Sequence, residues 1–311
     1  MLDVKRLRVL REVSIRGSFS AAAESLAYTQ SAVSQQIAAL EREAGTVLVQ
    51  RNARGVRMTD AGRALVAHAD VIFARLADAE AELEAIAGAR GGRLRIVSFP
   101  TAGATLAPRA IALFRQRHPG VEITLEPREP HEGLDCVKCG DCDIALTLES
   151  GFEPIDDKAI ERLHLLDDPM YVCLPAGHPV ARKARLKLTD LAQDSWILGT
   201  TGRCPDGMIL ERACHAAGFE PRVAFQSDDY VAIQGFVAAG VGVCLIPDLA
   251  LVAVRDDVVI RQLEGRPPMR HVLAATLAGG YVSPATAAML EILVEVGREF
   301  EASNRTLALA S

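Results

Sequence analysis

Apolar and polar positions divide the chain into three regimes. Across residues 30–43, Val33, Ile37 and Leu40 stand four and three apart, which places them on one helical face. The opposite face carries Gln30, Ser31, Ser34 and Gln35. An alanine-rich stretch, Phe19 to Leu26, predicts a shorter helix just before it, with Ala27-Tyr28 as the turn. Ser18 and Thr29 stand where each helix begins, and a hydroxyl there accepts a hydrogen bond from a free first-turn amide. The second regime is a single long helix from Asp60 to about Gly88, with Thr59 as its cap. Leu65, Ala69, Ile72, Leu76, Ala79, Leu83 and Ile86 alternate at four and three, an unbroken heptad seam flanked by Asp78, Glu80, Glu82 and Glu84. About 28 residues at ~1.5 Å each make a rod of ~42 Å.

The third regime begins after Arg90-Gly91-Gly92, a hinge-like break. From Arg93 onward strands alternate with helices. Strands are predicted at Arg93–Ser98, Val121–Leu125, Asp143–Leu148, Ala159–Leu166, Met170–Leu174, Trp196–Leu198, Arg222–Phe225, Val243–Ile246, Val258–Leu263 and Arg270–Ala278. Helices are predicted at Thr101–His118, Glu132–Cys139, Asp206–Ala217 and Asp229–Ala239. A last one opens on Ser283-Pro284, cap then proline at the first helical position, and runs to about Ala302. Repeated strand–helix–strand order predicts mainly parallel sheets covered by helices. The pattern repeats around residue 165, so two lobes are expected, the chain returning to the first through Pro267-Pro268. Ligands on such folds sit in a crevice beyond the carboxyl ends of the strands.

Charge sharpens the first regime. The 311 residues carry a net charge of −6, yet residues 1–59 hold nine Lys/Arg against five Asp/Glu. A basic end on an acidic body suits contact with DNA through that end alone. Residues 46–60 read as a two-stranded wing whose tip carries Arg51, Asn52, Arg54, Gly55 and Arg57. Two short helices, a tight turn and a polar leading face make a helix-turn-helix, with an ordinary helical hairpin as the alternative. Gln30, Ser31, Ser34 and Gln35 suit base edges in a major groove, Arg51 and Arg54 suit flanking phosphates, and Ser18 is counted with them as a DNA-binding residue.

The first sixty residues resemble the winged helix-turn-helix of LysR-type transcriptional regulators. The resemblance is carried by Leu7, Gly17-Ser18-Phe19, Ala21-Ala22-Ala23, the run Gln30 to Ile37, Leu40-Glu41, Gly45, Arg51 and Thr59-Asp60-Ala61-Gly62. Two departures stand out. Val49 replaces the family's usual aromatic or Leu, and Gln35 replaces an arginine common after the helix serine, so base preference does not carry over. Residues 93–311 resemble the same family's effector domain, itself similar to periplasmic binding proteins. Here the carriers are Leu94-Arg95-Ile96, Phe114 to Val121, Gly140, Asp143 to Leu146, Pro175 to Pro179, Val237 to Gly242 and Ile246-Pro247. The resemblance implies an α+β and α/β multidomain chain divided into three parts. Residues 1–59 would be the winged helix-turn-helix and 60–89 the linker and dimerisation helix. Residues 93–311 would be a type 2 periplasmic-binding-protein-like effector domain, with one lobe at about 93–165 and 269–304 and the other at about 166–268. It further implies no enzymatic activity, a homodimer formed through the linker helix and assembling into a homotetramer on a dyad promoter site, and RNA polymerase as a partner.

The cleft is expected to use Ser98, Pro100, Thr101, Thr147, Thr200, Thr201, Arg203, Ser227 and Asp228, all at strand ends or helix starts. Hydroxyls and free amides there, with Arg203, point to a small anionic metabolite, unless the Ser and Thr are simply caps. No cofactor is expected. Seven cysteines, scattered in a chain with no visible export signal, indicate reduced thiols in a cytoplasmic protein. Gly235 to Val254, the most apolar window, is interrupted by glycines, Pro247 and Asp248, so no membrane span is expected. One segment departs from the family pattern, Cys136-Val-Lys-Cys139-Gly-Asp-Cys142. Its thiols suit packing, with metal binding or oxidation as the alternative. The histidines show no local ligand spacing. A solute-binding protein or an enzyme on a two-lobed fold would account for residues 93–311 but leave the helix-turn-helix and the heptad helix idle.

Overall fold

The computed structural model of the protein describes residues 1–52, 55–86, 92–150, 157–199 and 205–308. Contacts group them into two units, Met1–Glu80 with Lys138–Gly140, and Ala81–Val137 with Asp141–Ser311.

In the first unit α1 (Val4–Arg16) packs on α2 (Phe19–Ser25) and α3 (Gln30–Ala44). Leu7, Leu10 and Val13 meet Ala22, Val33, Ile37 and Leu40 in one core, so the four-and-three spacing of α3 is its buried face. Ser18 Oγ accepts from Ala21 N–H at 3.4 Å and Thr29 Oγ1 from Ala32 N–H at 3.2 Å, the two expected caps. Ala27, with φ +54°, makes the turn. The wing is β1 (Val49–Asn52) paired antiparallel with β2 (Gly55–Met58). Its base is fixed by Glu41 Oε1, which accepts from Leu48 N–H at 2.9 Å and Val49 N–H at 3.2 Å. The wing then leads into α4 (Asp60–Ile86). Gly62 is required there, because a Cβ would lie 2.1 Å from the Leu48 carbonyl oxygen. Along α4 the seam residues Ile72, Leu76 and Leu83 are exposed.

The second unit begins with β3 (Arg93–Ser98), α5 (Pro100–Ala104), α6 (Leu106–Arg117), β4 (Glu122–Pro127), α7 (Pro130–Lys138) and β5 (Ile144–Ser150). The helix predicted over 101–118 is therefore two, broken at Thr105, whose hydroxyl donates to the Thr101 carbonyl at 2.7 Å. The two strands predicted over 159–174 are one, β6 (Ile160–Pro175). Next come β7 (Arg185–Leu186), a 3-10 turn at Leu188–Leu191, β8 (Ser195–Leu198), α8 (Pro205–Ala216), β9 (Arg222–Gln226), α9 (Tyr230–Ala238) and β10 (Cys244–Pro247). A second 3-10 turn at Asp248–Ala250, β11 (Val258–Leu263), β12 (Met269–Leu277) and α10 (Pro284–Ala308) complete the chain.

Pairing is parallel between β3 and both β4 and β5, between β8 and β9, and between β7 and β11. It is antiparallel wherever β6 or β12 meets β5, β10 or β11, and between β6 and β12 themselves. The sheets are thus mixed, not mainly parallel. The cause is the return of the chain, which brings β12 back beside a strand running the other way. Residues 160–169 of β6 pair with β12, whereas 170–175 pair with β10 and β11. Met170 N–H donates to Pro268 O at 2.9 Å where the two long strands change partners. One apolar core surrounds β3, β5, α6 and α10, and another gathers Trp196, Ile209, Leu210 and Cys214 against β6 and β10. No helix among the described residues is long and apolar enough to cross a membrane.

Candidate nucleic-acid interface and inter-lobe cavity

On α3 the face opposite Val33, Ile37 and Leu40 starts the helix with Gln30, Ser31 and Gln35, all exposed, and Ser34, half-buried. Ser31 Oγ lies 3.0 Å from Thr29 Oγ1, so the cap also orients the second hydroxyl of the row. Ser18, by contrast, is half-buried and engaged with α2. Arg51 is paired in backbone register with Val56 at the wing. Arg54 lies outside the described residues. The face presents amides and hydroxyls beside a helix N-terminus that favours phosphate charge.

A buried ionic cluster joins the two long strands of the second unit. Arg270 on β12 is the backbone register partner of Asp168 on β6. Its Nε donates to Asp168 Oδ2 at 2.9 Å, and Nη2 donates to the same oxygen. Nη2 also reaches Thr101 Oγ1 at 3.0 Å, and Nη1 reaches Asp206 Oδ2 at 2.9 Å. Tyr230 Oη donates to that Asp206 oxygen at 2.6 Å, and Leu249 N–H donates to Asp168 Oδ1 at 3.1 Å. The guanidinium lies over the Phe99 ring, 5.5 Å from its centroid. Burial alone would lower the Arg270 pKa, but the charges of Asp168 and Asp206 raise it above its ordinary value, so the side chain stays cationic.

This cluster forms the floor of a small cavity of about 20 Å³, room for roughly one water. Pro100, Thr101, Glu129, Pro130, Leu148, Asp206, Asp228, Tyr230 and Arg270 line it with Phe99. Asp206 is buried and its Oδ1 has no hydrogen-bond partner among the described residues. Glu129 is held above the usual carboxylate range by burial and then by the charges of Asp228 and Glu132.

Of the residues predicted for the cleft, Pro100, Thr101 and Asp228 meet at this cavity. Ser98 and Thr147 are buried and committed elsewhere, Ser98 Oγ to the Phe99 carbonyl at 3.0 Å and Thr147 Oγ1 to the Pro130 carbonyl at 3.3 Å. Ser227 Oγ accepts from Asp229 N–H at 3.2 Å, and Asp229, not Ser227 or Asp228, caps α9. Thr200, Thr201 and Arg203 lie outside the described residues. Glu129, Asp206, Tyr230 and Arg270 were not singled out in sequence. A charged residue inside an apolar strand, such as Arg270 before His-Val-Leu-Ala-Ala, is the signal that points to it. Cys136 and Cys142 lie in one apolar cluster.

Two family models match this chain. That of the LysR substrate binding domain matches residues 87–298, and that of the lysR family of bacterial regulatory helix-turn-helix proteins matches residues 4–63. The probable HTH-type transcriptional regulator LrrA of Synechococcus elongatus is 32% identical over 303 residues, covering 97% of this chain and 100% of that protein. The transcriptional dual regulator GltC of Bacillus subtilis is 31% identical over 252 residues, 79% of this chain and 81% of its own. A full-length OxyR variant from Pseudomonas aeruginosa has a TM-score of 0.67 at 24% identity, covering 96% of this chain and 95% of its own. Full-length CbnR complexed with its target DNA has a TM-score of 0.62 at 20% identity, covering 95% and 100%. At those identities the structural likeness establishes the fold.

Proposed function

The chain belongs to the LysR family of transcriptional regulators, and from that membership we propose that it reads a two-fold promoter site as a dimer of dimers re-aimed by a ligand between the lobes of its effector domain. As a member it is a DNA-binding regulator responding to a small molecule, in a family whose named relatives are regulators and not enzymes. The rest of this reading is ours. It divides the chain into a DNA-binding domain at 1–59, a linker helix at 60–89 and an effector domain from 93, working in the cytoplasm beside RNA polymerase.

The observation that carries the proposal is the exposed row of Gln30, Ser31 and Gln35 at the start of α3, within the matched helix-turn-helix segment. Amides and hydroxyls in that row meet base edges, while Arg51 and Arg54 meet phosphates. Pairing through α4 is supported by the exposure of Ile72, Leu76 and Leu83, whose apolar surface a second copy would cover. Two recognition helices then address half-sites about one helical turn or a multiple apart.

The effector seats against Thr101, Glu129, Asp206, Asp228 and Tyr230. The anion expected from Arg203 depends on a residue outside the described ones. The described lining sets three carboxylates around a guanidinium already shared by Asp168 and Asp206, which supports a ligand that brings a hydrogen-bond donor or positive charge to Asp206 Oδ1. Supplying that donor is worth about 1–3 kcal/mol. The cavity holds little more than a water, so binding must part the lobes and shift their equilibrium. Two measurements test this on the full chain. The first is a gel shift on the upstream intergenic DNA, expected to be sequence-dependent and salt-sensitive. The second is a thermal-shift panel of anionic, neutral and cationic metabolites, in which stabilisation by anions alone would refute the donor-bearing ligand.

A further inference from the structure

The three thiols between α7 and β5 are not equivalent. Cys136 lies in the last turns of α7 and Cys142 two residues before β5. Between them the chain reverses through Gly140, at φ +69°. The reversal brings Asp141 N–H to the Cys136 carbonyl at 2.9 Å and Cys142 N–H to the same carbonyl at 3.4 Å. Folded back this way, the two side chains share an apolar cluster with Val97, Val137 and Ala145. Cys142 is buried, while Cys136 is half-buried.

These contacts favour the thiolate. The hydrogen bond from Cys142 and the one from Arg128 together outweigh burial and bring Cys136 down to about 7. Cys142, which gives that hydrogen bond from a buried position, is raised. Burial pushes Cys139 up to about 12. A second pair of touching thiols gives the contrast. Cys173 and Cys244 are register partners on β6 and β10, both fully buried, and Cys244 is raised well above its usual range. That pair is closed to solvent. A half-buried cysteine inclined to the thiolate, with a second cysteine in the same cluster, has the arrangement of an attacking and a resolving pair.

We propose that Cys136 and Cys142 are a modification site, a pair that closes to a reversible disulfide on reaction with a hydroperoxide. The Cys136 thiolate attacks one peroxide oxygen. The O–O bond breaks, the other oxygen leaves as water or alcohol after taking a proton, and Cys136 becomes a sulfenic acid. Cys142 sulfur then attacks the Cys136 sulfur, the S–O bond breaks, and hydroxide departs with the Cys142 proton as water. Two thiols lose two electrons and two protons, and the hydroperoxide accepts both. The bond staples the end of α7 to the approach of β5, and both elements also supply the cavity wall through Pro130 and Leu148. The site is independent of which effector the cavity takes.

The test treats the full chain with hydrogen peroxide or tert-butyl hydroperoxide, blocks remaining thiols under denaturing conditions and maps tryptic peptides. Cleavage after Lys138 separates Cys136, on residues 129–138, from Cys139 and Cys142, on residues 139–158. The expected product is these two peptides linked, two hydrogens lighter than their sum, and released by dithiothreitol. The linkage should persist in Cys139→Ser and vanish in Cys136→Ser and Cys142→Ala, while Cys173 and Cys244 stay blockable throughout. Linkage through Cys139, arrest of Cys136 as a sulfinic acid beside a free Cys142, or recovery of both thiols unchanged would each overturn the proposal. The wild-type map decides even where a variant folds poorly.

Discussion

Asp168 and Asp206 both hold Arg270, yet replacing them should have opposite consequences. In Asp168→Ala, Arg270 Nε and the Leu249 N–H lose the carboxylate that accepts from them, and Nη2 keeps only Thr101 Oγ1. Arg270 is 1% exposed, so water cannot replace the carboxylate. Asp206 still pairs with Nη1, but stripping the closer carboxylate from a buried guanidinium and leaving buried donors without an acceptor costs about 3–5 kcal/mol. At roughly 2–4 °C per kcal/mol for a domain of this size, melting falls by about 6–20 °C. In Asp206→Asn the side-chain oxygen still accepts from Arg270 Nη1 and Tyr230 Oη, and Asp168 still neutralises the guanidinium. Only the charge-assisted part is lost, about 1 kcal/mol. The atom facing the cavity, however, changes from acceptor to donor, so the ligand response is the property that disappears. The chain's one tryptophan, Trp196, is fully buried in the α8–β8 core, so its emission reports unfolding of the effector domain and not of the DNA-binding unit. Urea titrations followed at Trp196, with a ligand-induced shift measured alongside, separate the two effects. Equal destabilisation by both substitutions, or an Asp168→Ala protein within about 1 kcal/mol of the parent, would refute this division of labour.

Arg54→Ala should weaken DNA binding on every sequence and flatten the salt slope by about one unit, read from gel shifts across ionic strengths. Gln35→Ala should instead alter sequence preference, by about 1–3 kcal/mol at one base pair, in a binding-site selection. A double replacement, Leu76→Glu with Leu83→Glu, should convert dimers to monomers in sedimentation without unfolding the chain, since both side chains are exposed in a single copy. Glu129 is raised in the folded state by burial and by Asp228 and Glu132, so ionising it costs stability as pH rises above the ordinary glutamate range. Glu129→Gln should therefore raise the melting temperature at neutral pH, and the difference should vanish in acid, where both states are protonated.

Local periodicity made most elements legible. The caps Ser18, Thr29, Thr59 and Ser283 each accept the amide hydrogen bond their position implied, because a cap depends on residues three apart in sequence. The long helix α4 was equally readable, since its repeat is local. What escaped was everything set by distant pairing. The continuous run of β6 could not be read through Asp167-Asp168-Pro169, a sequence that locally says turn. It persists because β12 pairs along its first part and β10 and β11 along its second. Arg270 and Asp168 are 102 residues apart, and Thr101 lies 169 residues from Arg270. No spacing rule finds such a set. The histidines illustrate the same limit, for His164 and His271 are both hydrogen-bonded to Asp167 Oδ1, at 2.9 and 2.7 Å, across the β6–β12 register.

The placement of Arg270 also bears on how a ligand could move the lobes. Its partners come from both sides of the crossing, Thr101 from α5 in the portion beginning at β3, and Asp206 from α8 in the portion built on the far half of β6. Asp168 sits next to the residues where β6 exchanges β12 for β10 and β11. A guanidinium bonded across that point opposes opening, since parting α5 from α8 must expose or break at least one charged contact. On the proposed reading, a ligand donor offered to Asp206 Oδ1 would change that balance, drawing part of the carboxylate's charge away from Nη1 without requiring Asp168 to let go. Opening would then hinge about the Asp168–Arg270 pair, which stays intact, while the Asp206 and Thr101 contacts exchange for contacts to ligand. A ligand acting this way needs differential affinity for the open arrangement, and Asp206→Asn removes that differential while leaving the hinge pair in place.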